Sequence, residues 1–356
     1  MLMPRRRPTL NDIALETGLS TFTVSRALSG EYGVSEASRQ KVVAAAEAIG
    51  YVPNKAARAL RNQTPGPVIV MTASTSNAYY IDMLAGIQNG LRSAGLAMRT
   101  ADLAPEGVFD AALEDAAVEE AMQSRAAGVI STLTLGRSNY ETLTQWGVPV
   151  VFVDSHQPVS EYGTASVTTD NLSAADDVGR HLAEHGHRDW VLLIYPKLWS
   201  TRAAREAGLR ASAELHGATL TMLECDNDPT SAQVTLARHL ATRKDGRPFA
   251  LVAGNNPLLR GALGALRDAG VYPPRDVCLI SFDEFMWSPL IDPPMTVVDE
   301  DSKNIGRLAA LTLRNVIRRN SAPDPKAASG AGIRYLPEDT KEVEANLLIR
   351  QSCGCA

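Results

Sequence analysis

Over the first fifty positions, apolar residues recur every three to four places, in three short runs divided by turn residues. Leu10, Ile13, Ala14 and Thr17 share one face of the first run. Thr9 precedes it as an N-cap. Its side-chain oxygen is expected to accept an early backbone N–H, and Asp12 suits the positive helix end. Gly18 supplies a turn, and Ser20 caps a second run that sends Val24, Ala27 and Leu28 inward. Thr21, Phe22, Ser25 and Arg26 are left on its other face, and Ser29-Gly30 ends it. Ser35 caps a third run with Val42, Ala46 and Ile49 inward, closed by Gly50. The pattern predicts a helix-turn-helix, whose second helix enters the major groove of DNA. A small helical cap with no nucleic-acid role would have the same periodicity, but outward Phe22 and Arg26 favour the DNA-binding form.

From Val68 the pattern changes. The apolar runs PVIVMTA, AAGVIST, VPVVFVD, DWVLLIY, FALVAG and DVCLISF alternate with helix-length stretches. The first such stretch is expected to bury Ile81, Leu84, Ile87 and Leu91. Strands alternating with helices predict parallel sheets covered on both faces, an α/β fold of about nine strands in two doubly wound subdomains with a cleft between them. Ligands in such sheets bind beyond the carboxyl ends of strands. That singles out Ser74, Tyr79 and Tyr80 after the first strand, then Thr132, Asp154, Trp199, Asn255, Asn256 and Asp283.

Between the two patterns lies YVPNKAARALRNQTPGPV. Pro53 ends the preceding structure, and Asn54 caps a short helix that presents Lys55, Arg58 and Arg61 with Leu60 among them. Thr64 to Pro67 is a linker. Spacing alone leaves two readings open, a minor-groove wedge and a plain linker helix.

Charge sharpens the division. The net charge of −5 hides nine basic against five acidic residues in positions 1–63, a net +4, with −9 on the rest. A basic head on an acidic body implies that the head meets a polyanion. The start, MLMPRRRPTL, lacks a signal peptide's apolar run, and no stretch approaches the ~20 apolar residues of a membrane span, so the expected location is the cytoplasm.

No catalytic motif stands out: there is no Walker loop, G-x-G-x-x-G, G-x-S-x-G or HExxH. Neither an enzyme activity nor a cofactor is expected. Cys225 and Cys278 fall in strand-like segments as buried thiols, and Cys353-x-Cys355 shows no second half of a zinc site. His181, His185 and His187 cluster in sequence, but a helix C-terminus explains them, because imidazoles there complement the dipole. No metal is expected.

The run TLNDIALETGLSTFTVSRALSG followed by VSEASRQKVVAAAEAIGYVPNKAARAL resembles, without gaps, the headpiece and hinge helix of the lactose/galactose repressor family. The resemblance continues through TSNAYYIDMLAGI, VTTDN, HLAEHGHRDWVLLI, STRAAREAGLRA, AGNNPLLRGALGALRDAGVYPPRDVCLISFDE and DPPMTVVDED to a final strand in LLIRQSCGC. It implies a two-lobed periplasmic-binding-protein-like domain behind a DNA-binding head. The implied domains are a headpiece at 1–63, with its hinge helix at about 53–62, and an effector domain at 64–356. The lobes of that domain are 67–167 with 299–322, and 168–298 with 323–356. DNA contacts fall on Thr9, Ser20, Thr21, Phe22, Thr23, Ser25, Arg26, Asn54, Lys55, Ala57, Arg58 and Leu60. Thr21, Phe22 and Arg26 would face base edges, and Leu60 would open a central CpG step.

The implied effector residues are Ser74, Tyr79, Tyr80, Thr132, Asp154, Trp199, Thr201, Arg205, Asn227, Asn256, Asp283 and Trp287. Three positions depart from the family pattern. Asn255-Asn256 replaces Asn-Asp, Asn227 stands where an aromatic is frequent, and the acid-rich DED replaces a glutamine. Arg205 and Asp283 could grip neighbouring hydroxyls of a sugar ring, and Asn227 favours a hydroxyl-rich ligand over a flat purine. The expected protein is a homodimeric repressor that binds a pseudo-palindromic operator under the control of a sugar-like effector. A solute-binding protein of the same fold, and a regulator answering to a purine or a protein coregulator, are the alternatives.

Overall fold

The computed structural model describes residues 8–52, 66–73, 77–158, 162–243, 247–321 and 332–355. Asn54, Lys55, Ala57, Arg58, Leu60 and Ser74, with the hinge helix, lie outside the described residues. The chain divides into two units, Met1–Pro65 and Gly66–Ala356.

In the first unit, α1 (Leu10–Thr17), α2 (Thr21–Ser29) and α3 (Glu36–Ala48) enclose a core of Ile13, Val24, Ala27, Val42 and Ala46. Leu10, Ala14, Leu28 and Ile49 pack at its margin. Ser20 Oγ accepts from the Thr23 N–H at 3.1 Å and Ser35 Oγ from the Ser38 N–H at 3.2 Å, which satisfies donors that each helix start leaves free. Thr9 forms a capping box with Asp12 at the start of α1. Its N–H and its hydroxyl both donate to Asp12 Oδ2, at 2.7 and 2.8 Å. Gly18 and Gly30 end α1 and α2 in the left-handed region, at φ 69° and 74°, where a side chain would clash with the backbone.

The second unit holds two six-stranded sheets. The first contains β1 (Val68–Thr72), β2 (Met98–Asp102), β3 (Gly128–Ser131), β4 (Val150–Val153), β5 (Ala165–Thr169) and β11 (Thr340–Val343), in the order β11-β5-β4-β3-β1-β2. The second contains β6 (Asp189–Ile194), β7 (Thr219–Glu224), β8 (Phe249–Ala253), β9 (Val277–Phe282), β10 (Thr296–Asp299) and β12 (Asn346–Leu348), in the order β12-β10-β9-β8-β6-β7. Every pairing is parallel except β10–β12. Central strands such as β1, β8 and β9 are buried along their whole length, which is why they read as continuous apolar runs.

Three details differ from the sequence expectation. The described strands number twelve, not about nine, because the edge strands β2 and β7 are partly exposed and correspondingly polar. Thr340–Val343 pairs with β5 in the first sheet, so the segment after 323 does not belong wholly to the second lobe. The final strand is Asn346–Leu348, and Gln351–Cys353 forms a 3-10 turn.

The helices of the first lobe are α4 (Ala78–Ser93), α5 (Ala111–Gln123), α6 (Arg137–Gln145) and α11 (Ser302–Ser321). Those of the second are α7 (Asn171–Glu184), α8 (Thr201–Leu215), α9 (Pro229–Thr242) and α10 (Asn256–Ala269). On α4 the buried stripe is Tyr79, Met83, Ile87 and Leu91, whereas Ile81 is exposed. The shift follows from α11, which presses so close that a Cβ on Gly86 would lie 2.0 Å from the Lys303 carbonyl oxygen and one on Gly306 2.1 Å from that of Met83.

Candidate functional site

The first unit presents one side of α2. Phe22 is 69% exposed, Thr21 is exposed, and Ser20 and Thr23 are tied to each other at the helix start, 2.9 Å apart. Ser25 departs from expectation: it is buried, turned into the three-helix core with Val24. Arg26 is also less free than its position on the helix suggests. Its guanidinium donates to the Tyr32 carbonyl, its Nε lies 3.5 Å from Glu31 Oε2, and its Cζ is 5.5 Å from the centre of the Phe22 ring. Two other cations of the head serve the fold. Arg39 donates to the carbonyls of Ala27 and Glu31, each at 2.9 Å, and Lys41 donates to that of Thr17 at 2.8 Å. They therefore bond carbonyls at and just beyond the C-terminal ends of α2 and α1.

In the second unit the carboxyl ends of β1, β3, β4, β6, β8 and β9 converge on one cleft, as parallel sheets dictate. Of the residues singled out from sequence, Tyr79, Tyr80, Thr132, Asp154, Trp199, Thr201, Arg205, Asn227 and Asp283 line it. Asn256 does not. It is buried behind the wall, with its backbone N–H donating to Asp283 Oδ2 at 3.1 Å and its side-chain amide without a partner, while Asn255 faces the cleft in its place. Trp287 also lies off the cleft, 44% exposed and packed on Phe285 at 4.2 Å between ring centres.

On the first-lobe wall the Tyr79 hydroxyl donates to Asp154 Oδ2. Burial, and then the Asp154 charge, hold the Tyr79 phenol well above its usual range, so it stays a donor. Asp154 sits at φ 45°, Oδ1 accepts from the Thr169 N–H at 2.7 Å, and its carbonyl accepts from Ser200 Oγ across the cleft at 2.7 Å. On the second-lobe wall Arg205 is the hub. Its Nε donates to Asn171 Oδ1 at 2.6 Å, Nη1 to the Gly254 carbonyl at 2.5 Å, and Nη2 to Glu300 Oε1 at 2.8 Å. Asp283 Oδ1 is 3.5 Å from Nη1, and the guanidinium lies 4.2 Å from the centre of the Phe282 ring.

Sequence reasoning missed Glu300 as a site residue. It is 1% exposed, just past β10 in the DED segment. Burial, and then the Asp283 charge, push its carboxyl well above the ordinary range. Burial raises Asp283 as well, against the pull of Arg205. Two buried acids beside one guanidinium each disfavour the other's ionised form. Tyr195 was also missed. It follows β6 and shares a 2.7 Å hydrogen bond with Thr201. A polar residue that follows an apolar strand is the available signal for both. The space between the walls is about 40 Å³. That suffices for a few water molecules at ~10–15 Å³ each, so a ring enters only if the lobes part or Tyr79 and Tyr80 turn.

Comparison with known proteins adds the following. A family described as "Bacterial regulatory proteins, lacI family" matches residues 9–54, and one described as "Periplasmic binding protein-like domain" matches 180–353. The HTH-type transcriptional regulator MalR of Streptomyces coelicolor is 29% identical over 326 residues, covering 88% of this chain and 91% of that one. The fold is that of the lac repressor dimer bound to operator and the anti-inducer ONPF, with a TM-score of 0.76, 20% identity, and coverage of 98% and 99%. It is also that of a transcriptional regulator CelR–cellobiose complex, with a TM-score of 0.65, 23% identity, and coverage of 97% and 100%. No helix among the described residues is long and apolar enough to cross a membrane.

Proposed function

This chain belongs to the lacI family of bacterial regulatory proteins, and we propose that it is a homodimeric repressor whose grip on operator DNA is set by a neutral, hydroxyl-rich ligand in the second-unit cleft. The observation that carries the ligand class is the charge of the cleft. Among the described residues that line it, two acids, Asp154 and Asp283, stand with one cation, Arg205, whose donors already hold protein acceptors. A phosphate or a carboxylate would meet net negative charge there, whereas sugar hydroxyls can donate to the acids and accept from Asn227, Thr201 and Tyr195. The cellobiose held by one structural neighbour supports the same class.

In the head, α2 enters the major groove. Thr21 and the open face of Phe22 meet base edges, the phenyl ring suiting a thymine methyl. Arg26 reaches DNA by leaving Glu31 and Tyr32. Asn54, Lys55, Ala57, Arg58 and Leu60 supply the further DNA contacts. Two heads related by two-fold symmetry read a pseudo-palindrome. The protein acts in the cytoplasm and catalyses no reaction.

A thermal-shift screen of the intact chain against neutral sugars, polyols, sugar phosphates and purines tests the ligand class. At a hundredfold excess over Kd a true ligand adds about 2.7 kcal/mol. For a unit of this size that is a rise of roughly 5–10 °C. The reading predicts the rise with neutral sugars, diminished in Arg205→Lys. A rise confined to purines or phosphates contradicts it.

A further inference from the structure

The fold joins two sequence features that lie 174 residues apart in Cys355 and His181. His181 stands on the last turn of α7 and His185 at its C-cap, one helical turn on. Cys353 and Cys355 arrive from the turn after β12. Cys355 Sγ lies 3.8 Å from His181 Nε2 and 3.4 Å from His185 Nε2. One ligand atom each from His181, Cys353 and Cys355 falls within 4.8 Å of the others. The two imidazoles have their ring centres 4.5 Å apart. Tetrahedral zinc, with Zn–S of about 2.3 Å and Zn–N of about 2.0–2.1 Å, spaces its ligand atoms by roughly 3.5–3.8 Å. The two distances from Cys355 Sγ to the imidazole nitrogens are close to that already.

We propose that His181, His185, Cys353 and Cys355 form a binding site for one thiophilic divalent cation of the zinc class. The expectation that the C-x-C has no partner ligands fails because α7 supplies them. The segment is held in place independently of the cysteines. Ser352 Oγ donates to the Leu279 carbonyl at 2.6 Å and accepts from the Thr296 N–H at 2.8 Å, and Arg350 bonds Glu284 and the Met295 carbonyl. Cys353 is buried and receives the Thr296 hydroxyl at 3.1 Å, while His185 and part of Cys355 face solvent, which gives an ion an entry path. Two thiolates and two imidazoles match a borderline-soft cation and exclude magnesium and calcium, which take oxygen ligands. The site is remote from the cleft: Asn171, which holds Arg205, begins α7, and 14 residues of helix span ~21 Å. A bound ion would clamp the segment after β12, an edge strand, onto α7.

The test adds Co²⁺ to the reduced, chelator-stripped intact chain and follows its absorption. One equivalent should produce thiolate-to-cobalt charge-transfer bands and the strong visible bands of tetrahedral cobalt, and Zn²⁺ should abolish both. Cys355→Ser and His185→Ala, at accessible positions, should each weaken cobalt binding at least tenfold, with an unchanged circular dichroism spectrum showing that the fold persists. Absent charge-transfer bands, the weak spectrum of six-coordinate cobalt, or binding unaffected by both substitutions would each overturn the proposal.

Discussion

Beside Arg205, the carboxyls of Asp283 and Glu300 are buried with raised pKa values, so the native state holds a proton that the unfolded chain releases from about pH 4 upward. Their contribution to stability is fully present below that pH and is lost as the pH climbs through the folded values. Glu300→Gln removes the heavier part of this burden and can still accept from Arg205. The variant should therefore match the parent near pH 4 and melt above it by a margin that grows as the pH rises, in calorimetry from pH 4 upward. Parallel melting curves would place the proton elsewhere. At the other residue of consequence, Phe22, truncation to Ala should relax preference at one symmetric base position of the operator and cost about 1–3 kcal/mol there. Equal loss on every sequence, in a competition assay over single-base variants, would mean that the ring packs without reading.

The elements were legible wherever apolar period matched burial. The three head helices and the central strands carry their pattern openly, since the inward stripes Ile13, Val24–Ala27 and Val42–Ala46 face one small core. The edge strands β2 and β7 were not legible, because a strand with one exposed flank keeps few apolar residues. Nor were the partners of polar groups. Ser25 shares an outward-looking run yet is buried, and Glu300 looks like one more acid in DED yet is buried against Arg205. Side-chain reach, not periodicity, decides such cases. It also makes Arg39, one of the head's nine basic residues, a partner of carbonyls at the end of α2. Arg39→Ala should cost the head about 1–2 kcal/mol. Amide exchange in α2 and α3 of the intact chain would rise accordingly, while the second unit stays unchanged. In the first lobe, Gly86→Ala forces α4 off α11, where a Cβ would lie 2.0 Å from the Lys303 carbonyl oxygen. It should lower the second unit's melting midpoint by the equivalent of about 1–3 kcal/mol.

At the scale of the whole molecule, the charge division has a functional sense. A head of net +4 meets the phosphate backbone, and a body of net −9 stays off it. The body supplies a cleft whose walls touch through Ser200 and Asp154, so a ligand that parts or re-pairs the walls has two lobe arrangements to choose between. Regulation requires that these arrangements hold operator unequally, a coupling of typically ~1–3 kcal/mol. The most direct measurement is a titration of the intact chain on an operator selected from random duplex DNA, with and without the sugar that raises its melting temperature, for the parent and for Arg205→Lys. The account predicts a pseudo-palindromic operator and an affinity that changes about 5–150-fold with sugar in the parent, with a smaller change at the same sugar concentration in the variant. A sugar that stabilises the protein but leaves operator affinity unchanged would contradict it.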